Sequence, residues 1–465
     1  MMSLNDFVIQ TKKRSGSVVG NTFNLPLSSL TEEELNDEKK KLTLQAKVGF
    51  GAPPPPFKAY YIENDRLYVP RFYGLERFGD AEVDERVNGD PIDVDFCGTL
   101  TKIQDKAIQT VMKRCYSDNR QKGCISVLPC GFGKTVKALN MICVLKRKTI
   151  VFVHKTILAD QWIERIKTFI PNAKIGRIQA EVFDIDADIV IAMVLTVAKK
   201  GFDKNIFDSF GFAIFDECHH MAARVMNTAT LMLNSVNILG LTATKERADG
   251  LTPLLHWSLG PEGFRHETST EQTKVTCMIY DKGNQKEIFY RDGQPAMSLM
   301  LSRLAEDETR TLFIAQRMFE YYKTGRTIIV LSDRITQLKT LCKFLITLGT
   351  EESHIGFLIG KTPKNDRPEI LERRIIMCTY SMANEGLDKK QLDCLVMATP
   401  KGNCIQAIGR VQRPCENKKT PLVLDIVDNH SIFGKLRWKR FNLYSKNNFK
   451  CQTLLCSNND AEWFE

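Results

Sequence analysis

The chain has 465 residues, 43% of them hydrophobic and 26% charged; this is ordinary globular usage, enough for two large domains with an extension or about three domains, and it excludes a fibrous or largely disordered protein. Its 65 Lys+Arg against 55 Asp+Glu leave a net charge of +10, compatible with a polyanionic partner without requiring one. The longest uncharged apolar stretch, Ile189 to Ala198, falls well short of the roughly 18 residues of a spanning helix, and the start, MMSLNDFVIQTKKR, has no signal core, so no membrane span is expected and the 14 cysteines are expected to stay reduced inside a cell.

Residues 1–56 have weak periodicity and contain an acidic run, Glu32 to Glu38, abutting Lys39 to Lys41, before ending in GAPPPP. They read as a flexible segment with a short helix and a polyproline spacer. Residues 57–99 are dense in Tyr and Phe and broken by Pro and Gly, which predicts a small module of short strands and turns. From Leu100 the texture changes: CISVLPC, TIVFVH, ADIVIAM, FAIFDE and NILGLTAT alternate with longer helical patterns, the signature of a parallel sheet with crossover helices over residues 100–256. Residues 257–273 read as a connection. A second series, KVTCMIY, TIIVL, IGFLIG, RIIMCTY, CLVMATP and PLVLDIVD, predicts a second α/β domain over 274–465. The expected fold is therefore α/β, with two tandem doubly wound parallel-sheet domains. Cys451 and Cys456 approach metal-ligand spacing, but no second pair accompanies them, and a structural zinc site needs four ligands.

The strongest local signal is Leu128-Pro129-Cys130-Gly131-Phe132-Gly133-Lys134-Thr135, between an apolar strand and a helical run. Small residues there let backbone N–H groups cradle phosphates, Lys134 can reach the terminal phosphate oxygens, and the Thr135 hydroxyl can ligate Mg²⁺. Leu128 stands where the strict phosphate-loop pattern has its first glycine. About 80 residues on, an apolar strand runs into Asp216-Glu217-Cys218-His219-His220. Asp216 is placed to hold Mg²⁺ and Glu217 to activate a water for in-line attack. Together these two motifs specify hydrolysis of ATP. Thr242 and Thr244, ending a third strand, can bond His219 or Glu217 and couple nucleotide state to the rest of the molecule. In the second domain Gln406, Arg410 and Arg413 recur at spacings of four and three on one expected helical face, where the guanidinium groups suit γ-phosphate recognition; solvent-exposed ion pairs are the plainer alternative.

The order LPCGFGKT, DECHH, LTAT and QAIGRVQR resembles that of superfamily-2 helicases and DNA translocases over about residues 96–430. The resemblance implies two RecA-like domains with ATP between them and ATP with Mg²⁺ as cofactors. It makes Gln104 an adenine-reading residue, with Phe96 as a stacking ring and Ile103 where an aromatic usually stands. It makes His154, Lys155, Gln161 and Trp162, then Thr196, and in the second domain Ser332, Arg334 and Thr379, contacts to nucleic acid. It places Glu385, Gly386 and Asp388 in a further motif, the last two near ATP. DECHH followed by LGLTATKERADGL is similar to the DEAH-like excision-repair and transcription-factor DNA helicases, with Cys218 for the usual Ala and Lys245 for a common Pro. VPRFYG, LPCGFGKT and VHKTILADQW resemble the transcript-release helicases of large nucleocytoplasmic DNA viruses. The implied partners are single-stranded or duplex DNA, with RNA or transcription machinery as alternatives, bound by a monomer that travels 3′ to 5′. The implied location is the infected-cell cytoplasm or the virus particle.

Two stretches stay open on the residues alone. FGKLRWKRFNLYSKNNFK interleaves Lys435, Arg437, Lys439, Arg440, Lys446 and Lys450 with Trp438, Phe441, Tyr444 and Phe449; it is either a strand-gripping surface or an amphipathic helix whose aromatics pack inward. The aromatics of residues 57–78 either grip duplex or pack on the first domain.

Overall fold

The computed structural model describes residues 14–46, 54–117, 121–129, 132–203, 205–221, 223–244, 247, 249–266, 273–280, 287–387, 389–413, 415–457 and 460–464. The chain divides into two compact units, residues 1–267 and 268–465.

In the first unit the five apolar runs become strands Gly123–Val127, Thr149–Val153, Ile189–Met193, Phe212–Phe215 and Asn237–Thr242, all paired in parallel. Across the sheet the order is Ile175–Gln179, Ile189–Met193, Thr149–Val153, Phe212–Phe215, Asn237–Thr242, Gly123–Val127 and Glu262–Arg265, with Val182–Phe183 hairpinned at one edge. The central strands are covered on both faces, which is why they read as unbroken apolar runs. Register sets Val127 beside Thr242 and Gly240 beside Phe215. The phosphate loop, LTAT and DECHH therefore leave the sheet side by side at the carboxyl ends of their strands, where ligands bind such sheets.

The sheet extends further than the sequence implies. Helix Thr252–Leu259 packs on it, and strand Glu262–Arg265 pairs with Gly123–Val127, so most of the expected connection over 257–273 belongs to the first unit; its Gly, Ser and charge content masks a short edge strand.

The expectation for residues 1–56 is also corrected. Strand Thr22–Pro26 pairs with Arg66–Pro70 inside a five-stranded sheet, so residues 14–46 and the 57–99 module are one structure. The short helix is Glu32–Lys41, opened by a capping box in which Thr31 and Glu34 satisfy each other's backbone N–H. The first half of the expected polyproline spacer GAPPPP, residues 51–53, lies outside the described residues. Residues 71–78, read as strand and turn, form helix Arg71–Phe78. Gly74 is there for close packing: a Cβ at that position would stand 2.2 Å from the Phe23 Cβ.

This module packs on the first sheet through one shared apolar core that joins Phe23, Leu67, Phe72 and Phe78 to Ile125 and Leu255. Arg71 pins the junction. Its guanidinium, wholly buried, donates to Ser235 O at 2.7 Å and Leu233 O at 2.9 Å, and burial pushes its pKa down to about 9. Of the two readings left open for these aromatics, packing on the first domain describes Phe72 and Tyr73, whereas Tyr61 is exposed and stacks on Tyr68 at 4.5 Å.

The second unit is built the same way. Its strands run Ile355–Leu358, Ile375–Thr379, Ile328–Ser332, Cys394–Met397, Leu422–Asp428, Lys274–Tyr280 and Lys450–Ser457, all parallel, with Asp460–Phe464 hairpinned outside. Two buried ion pairs hold helices to strand Leu422–Asp428: Arg440 Nε on Asp425 at 2.8 Å and Arg310 on Asp428 through two bonds of 2.7 Å. Among the described residues no helix is long and apolar enough to cross a membrane.

Removing one partner of such a pair strands a buried charge. Arg310→Met is expected to destabilise the protein by about 3–5 kcal/mol in urea unfolding, and Arg310→Met with Asp428→Leu to recover most of that loss; equal midpoints for the two variants would contradict the pairing.

Candidate nucleotide site

The site is assembled at the carboxyl ends of three neighbouring strands. Strand Gly123–Val127 runs into Leu128, whose N–H donates to Thr242 O at 2.9 Å, and helix Lys134–Leu145 follows the loop. Gly133 opens that helix with φ +86°, a conformation L side chains resist. Gln104 holds the loop from outside. Its Oε1 accepts from Thr101 N at 2.9 Å, completing a capping box on helix Lys102–Val111, and its Nε2 donates to Phe132 O at 2.8 Å. Each end of the amide keeps the capacity for one further hydrogen bond. Phe96 stacks on Phe169 with centroids 5.6 Å apart, so one face of the ring expected to stack on adenine is already covered. Cys130 and Gly131 lie outside the described residues.

Lys134 reaches across to DECHH: its Nζ donates to Glu217 Oε1 at 2.7 Å. Glu217 adopts φ +46°, an uncommon backbone state for a residue with a side chain, and one found at constrained sites. Asp216 is more completely held. Its Oδ1 accepts Glu217 N at 2.9 Å, its Oδ2 accepts Trp162 Nε1 at 2.8 Å, and its own N–H donates to Phe152 O at 3.0 Å. The adjacent carboxyls are driven apart. Burial, reinforced by Glu217, pushes Asp216 above the usual carboxylate range. Burial acts the same way on Glu217 but is outweighed by the Lys134 ammonium and by His219, which hold it below that range.

His219 follows on a short turn, Cys218–His220. Its Nδ1 lies 2.8 Å from Thr242 Oγ1 and 3.6 Å from Glu217 Oε2. Thr242 Oγ1 also accepts from Thr244 N at 3.1 Å and lies 2.9 Å from Thr244 O. Burial lowers the His219 pKa to about 3, so the ring is neutral at pH 7 and relays hydrogen bonds without carrying charge. His219, Thr242 and Thr244 thus form one hydrogen-bonded run, whose His219 end lies 3.6 Å from Glu217 Oε2.

Several residues expected to touch nucleic acid are placed otherwise. Trp162 is 1% exposed and spends its only N–H on Asp216, so it positions the acidic motif from within the core. His154, 5.4 Å from the His220 ring, is half-buried, and burial, with His220 and Lys155 beside it, pushes its pKa down to about 4. Ser332 is buried, its hydroxyl donating to Gln337 Oε1 at 2.7 Å and accepting from Arg334 N at 3.0 Å. The Arg334 guanidinium is tied to helix Met297–Glu306 through Ser302 Oγ at 3.0 Å and Ser298 O at 2.8 Å. Lys155 starts helix Thr156–Phe169, with Gln161 half-buried on it. The Thr196 hydroxyl accepts from Ala180 N at 3.3 Å, and Thr379 lies at a strand end beside Ser381.

In the second unit, helix Ile405–Val411 carries Gln406 and Arg410 but ends before Arg413, so the single helical face expected for all three is corrected to two residues on the helix and one on the bend beyond. Arg410 donates to Leu387 O at 2.9 Å. Gly386 closes helix Tyr380–Gly386, and Asp388 lies outside the described residues.

Sequence reasoning missed two groups. Ala159, Trp162 and Ile166 form the buried stripe of their helix, a spacing that marks Trp162 as an inward residue. Lys137, one turn after Lys134, is wholly buried and bonds Ser126 Oγ at 2.5 Å, tying the loop helix to the strand before it; nothing in its pattern distinguishes it from a surface lysine.

Comparison with known proteins agrees with this arrangement. Residues 98–247 match the family described as "Type III restriction enzyme, res subunit", and residues 312–415 match the "Helicase conserved C-terminal domain". A protein of Acanthamoeba polyphaga mimivirus named as an ATP-dependent RNA helicase is 30% identical over 415 residues, covering 87% of this chain and 79% of that protein. The chain belongs to the superfamily-2 helicases. This helicase is also 25% identical over 410 residues to a helicase-named protein of Invertebrate iridescent virus 6, covering 82% of this chain and 88% of the relative. Saccharomyces cerevisiae Dbp5 bound to RNA and ADP BeF3 has the same fold, with a TM-score of 0.51 at 13% identity over 77% of this chain and 90% of that one. Both units of the helicase are thereby RecA-like.

Trp162→Phe keeps the buried volume and removes the indole N–H that bonds Asp216 Oδ2. It is expected to lower kcat for ATP by about tenfold while melting within a few degrees of the parent protein; an unchanged kcat would show that Asp216 is held without it.

Proposed function

We propose that this helicase is a DNA-stimulated ATPase that moves along a DNA strand, serving transcript release, repair or replication for a large DNA virus. The observation that carries the reading is the Lys134–Glu217 pair at 2.7 Å. The terminal phosphates of ATP compete for the Lys134 ammonium. Glu217, released from it, becomes a stronger base, and orients and deprotonates the attacking water. Thr135 and Asp216 offer a hydroxyl and a carboxylate, hard oxygen donors that leave the remaining positions to phosphate and water, as Mg²⁺ prefers. Mg²⁺ bound there neutralises charge on the phosphates. Asp216 is oriented for this by Trp162 and the Glu217 N–H.

Arg410 and Arg413 serve as γ-phosphate partners, supported by their place in QAIGRVQR. The His219, Thr242 and Thr244 run carries phosphate state to the strand ends. Lys155, Gln161, Thr196 and Thr379 remain as backbone contacts to nucleic acid. The res-subunit match of the first unit and the DECHH sequence support DNA. The mimivirus relative, named as an RNA helicase, favours a second reading, an RNA helicase. The proposed location is the infected-cell cytoplasm or the virus particle, and the proposed working form is a monomer.

ATP hydrolysis measured alone and with single-stranded DNA, duplex DNA and RNA tests this. Single-stranded DNA is expected to raise turnover by at least about tenfold, with Lys134→Ala, Glu217→Gln and Arg413→Ala each lowering it by on the order of 10³. Stronger stimulation by RNA would favour the RNA reading, and strand binding without turnover would leave a passive scaffold.

A further inference from the structure

Helix Ser431–Lys446 answers, residue by residue, the choice its sequence leaves open. Its inner face is anchored: Ile432, Phe433 and Tyr444 are buried, and Arg440 is buried against Asp425. Its outer face is not covered. Trp438 is 65% exposed, the most exposed large apolar side chain among the described residues, and Phe441 is 47% exposed. Their ring centroids are 6.0 Å apart at an interplanar angle of 83°, so the two rings do not stack and hide each other's faces.

Lys435, Lys439 and Lys446 are exposed beside them. Their spacing of four and seven puts them on one stripe of the helix, with Trp438 on its flank. The helix has no acidic residue, so nothing on it neutralises the stripe. This surface lies beyond residue 415, where the match to the helicase C-terminal domain ends, so none of the motifs shared with that domain accounts for it.

An indole left in water within a row of cations is complementary to a polyanion whose aromatic faces are available. A duplex presents phosphates but keeps its base faces stacked inside; an unpaired strand presents both. We propose that this face of helix Ser431–Lys446 binds single-stranded DNA, with a base stacked on Trp438 against Phe441 and flanking phosphates held by Lys435, Lys439 and Lys446. The inference rests on the reading that this protein acts on DNA, and adds to it a grip that is blind to sequence because every base has a stacking face.

The test is binding of labelled oligothymidylate to the full-length protein by fluorescence anisotropy, with blunt duplex and oligouridylate as further probes. Trp438→Ala with Phe441→Ala is expected to weaken oligothymidylate binding by about tenfold to a hundredfold, to leave blunt-duplex affinity unchanged, and to melt as the parent does. Trp438→Phe, which keeps a stacking face, is expected to restore most of the affinity. Lys435→Gln, Lys439→Gln and Lys446→Gln combined are expected to reduce the slope of log affinity against log salt by about 2. If the parent protein binds oligothymidylate and the double alanine variant binds it equally well, the inference is wrong while the reading of function stands; that result would assign the aromatic pair to a protein partner instead. A loss confined to oligouridylate overturns the assignment to DNA. If the parent binds no strand at all, the reading of function fails and this inference with it.

Discussion

A half-buried ammonium and a half-buried carboxylate, 2.7 Å apart, set the conditions for everything around them. Neither Lys134 nor Glu217 is stable alone in so enclosed a place, because an unpaired charge there loses hydration that nothing replaces. In the proposed cycle the carboxylate gives up the ammonium to the terminal phosphates, and until then the ammonium keeps the base quiet. The surrounding geometry exists to bring these two together. Gly133 turns the loop into its helix, Gln104 grips Phe132 O, and the left-handed backbone of Glu217 aims its side chain back at the loop. Asp216 is fixed independently by Trp162 and by the Glu217 N–H, so it keeps its position whichever partner Glu217 has.

The same logic recurs in the second unit, where it reverses a reading of composition. Arg440 belongs to the most basic stretch of the chain, yet it is buried on Asp425, and Arg310 is committed likewise to Asp428. These guanidinium groups are internal fasteners. Charge counted along the sequence therefore overstates what is offered to a polyanion, and only the exposed lysines of helix Ser431–Lys446 contribute on that helix's outer stripe.

What was legible in the sequence follows from how each element is buried. Strands covered on both faces are continuous apolar runs, so all eleven runs singled out as strands are found as strands, and the loop, DECHH and LTAT converge as their order implies. The amino-terminal sheet was read only in part, as short strands after residue 57, because its strands are short and a helix and a proline run separate Thr22–Pro26 from its partner Arg66–Pro70. Trp162, Ser332 and Arg334 were misplaced for a different reason. A motif resemblance transfers a residue's neighbourhood but not the direction of its side chain: Trp162 and Ser332 point into the protein, and the Arg334 guanidinium is taken up by helix Met297–Glu306. Arg413 was set on a helix because spacing alone does not show where the helix stops.

Arg71 joins two segments far apart in time as well as in space. Its acceptors, Leu233 O and Ser235 O, lie 162 and 164 residues further along the chain. At a synthesis rate of about 5–20 residues per second, the guanidinium waits roughly 8–30 seconds for them. The amino-terminal module completes its own hairpins within that interval, while the apolar side of helix Arg71–Phe78 still has no floor. Birth order thus leaves Phe72 and Arg71 without their native partners on the nascent chain until the first sheet closes beneath them.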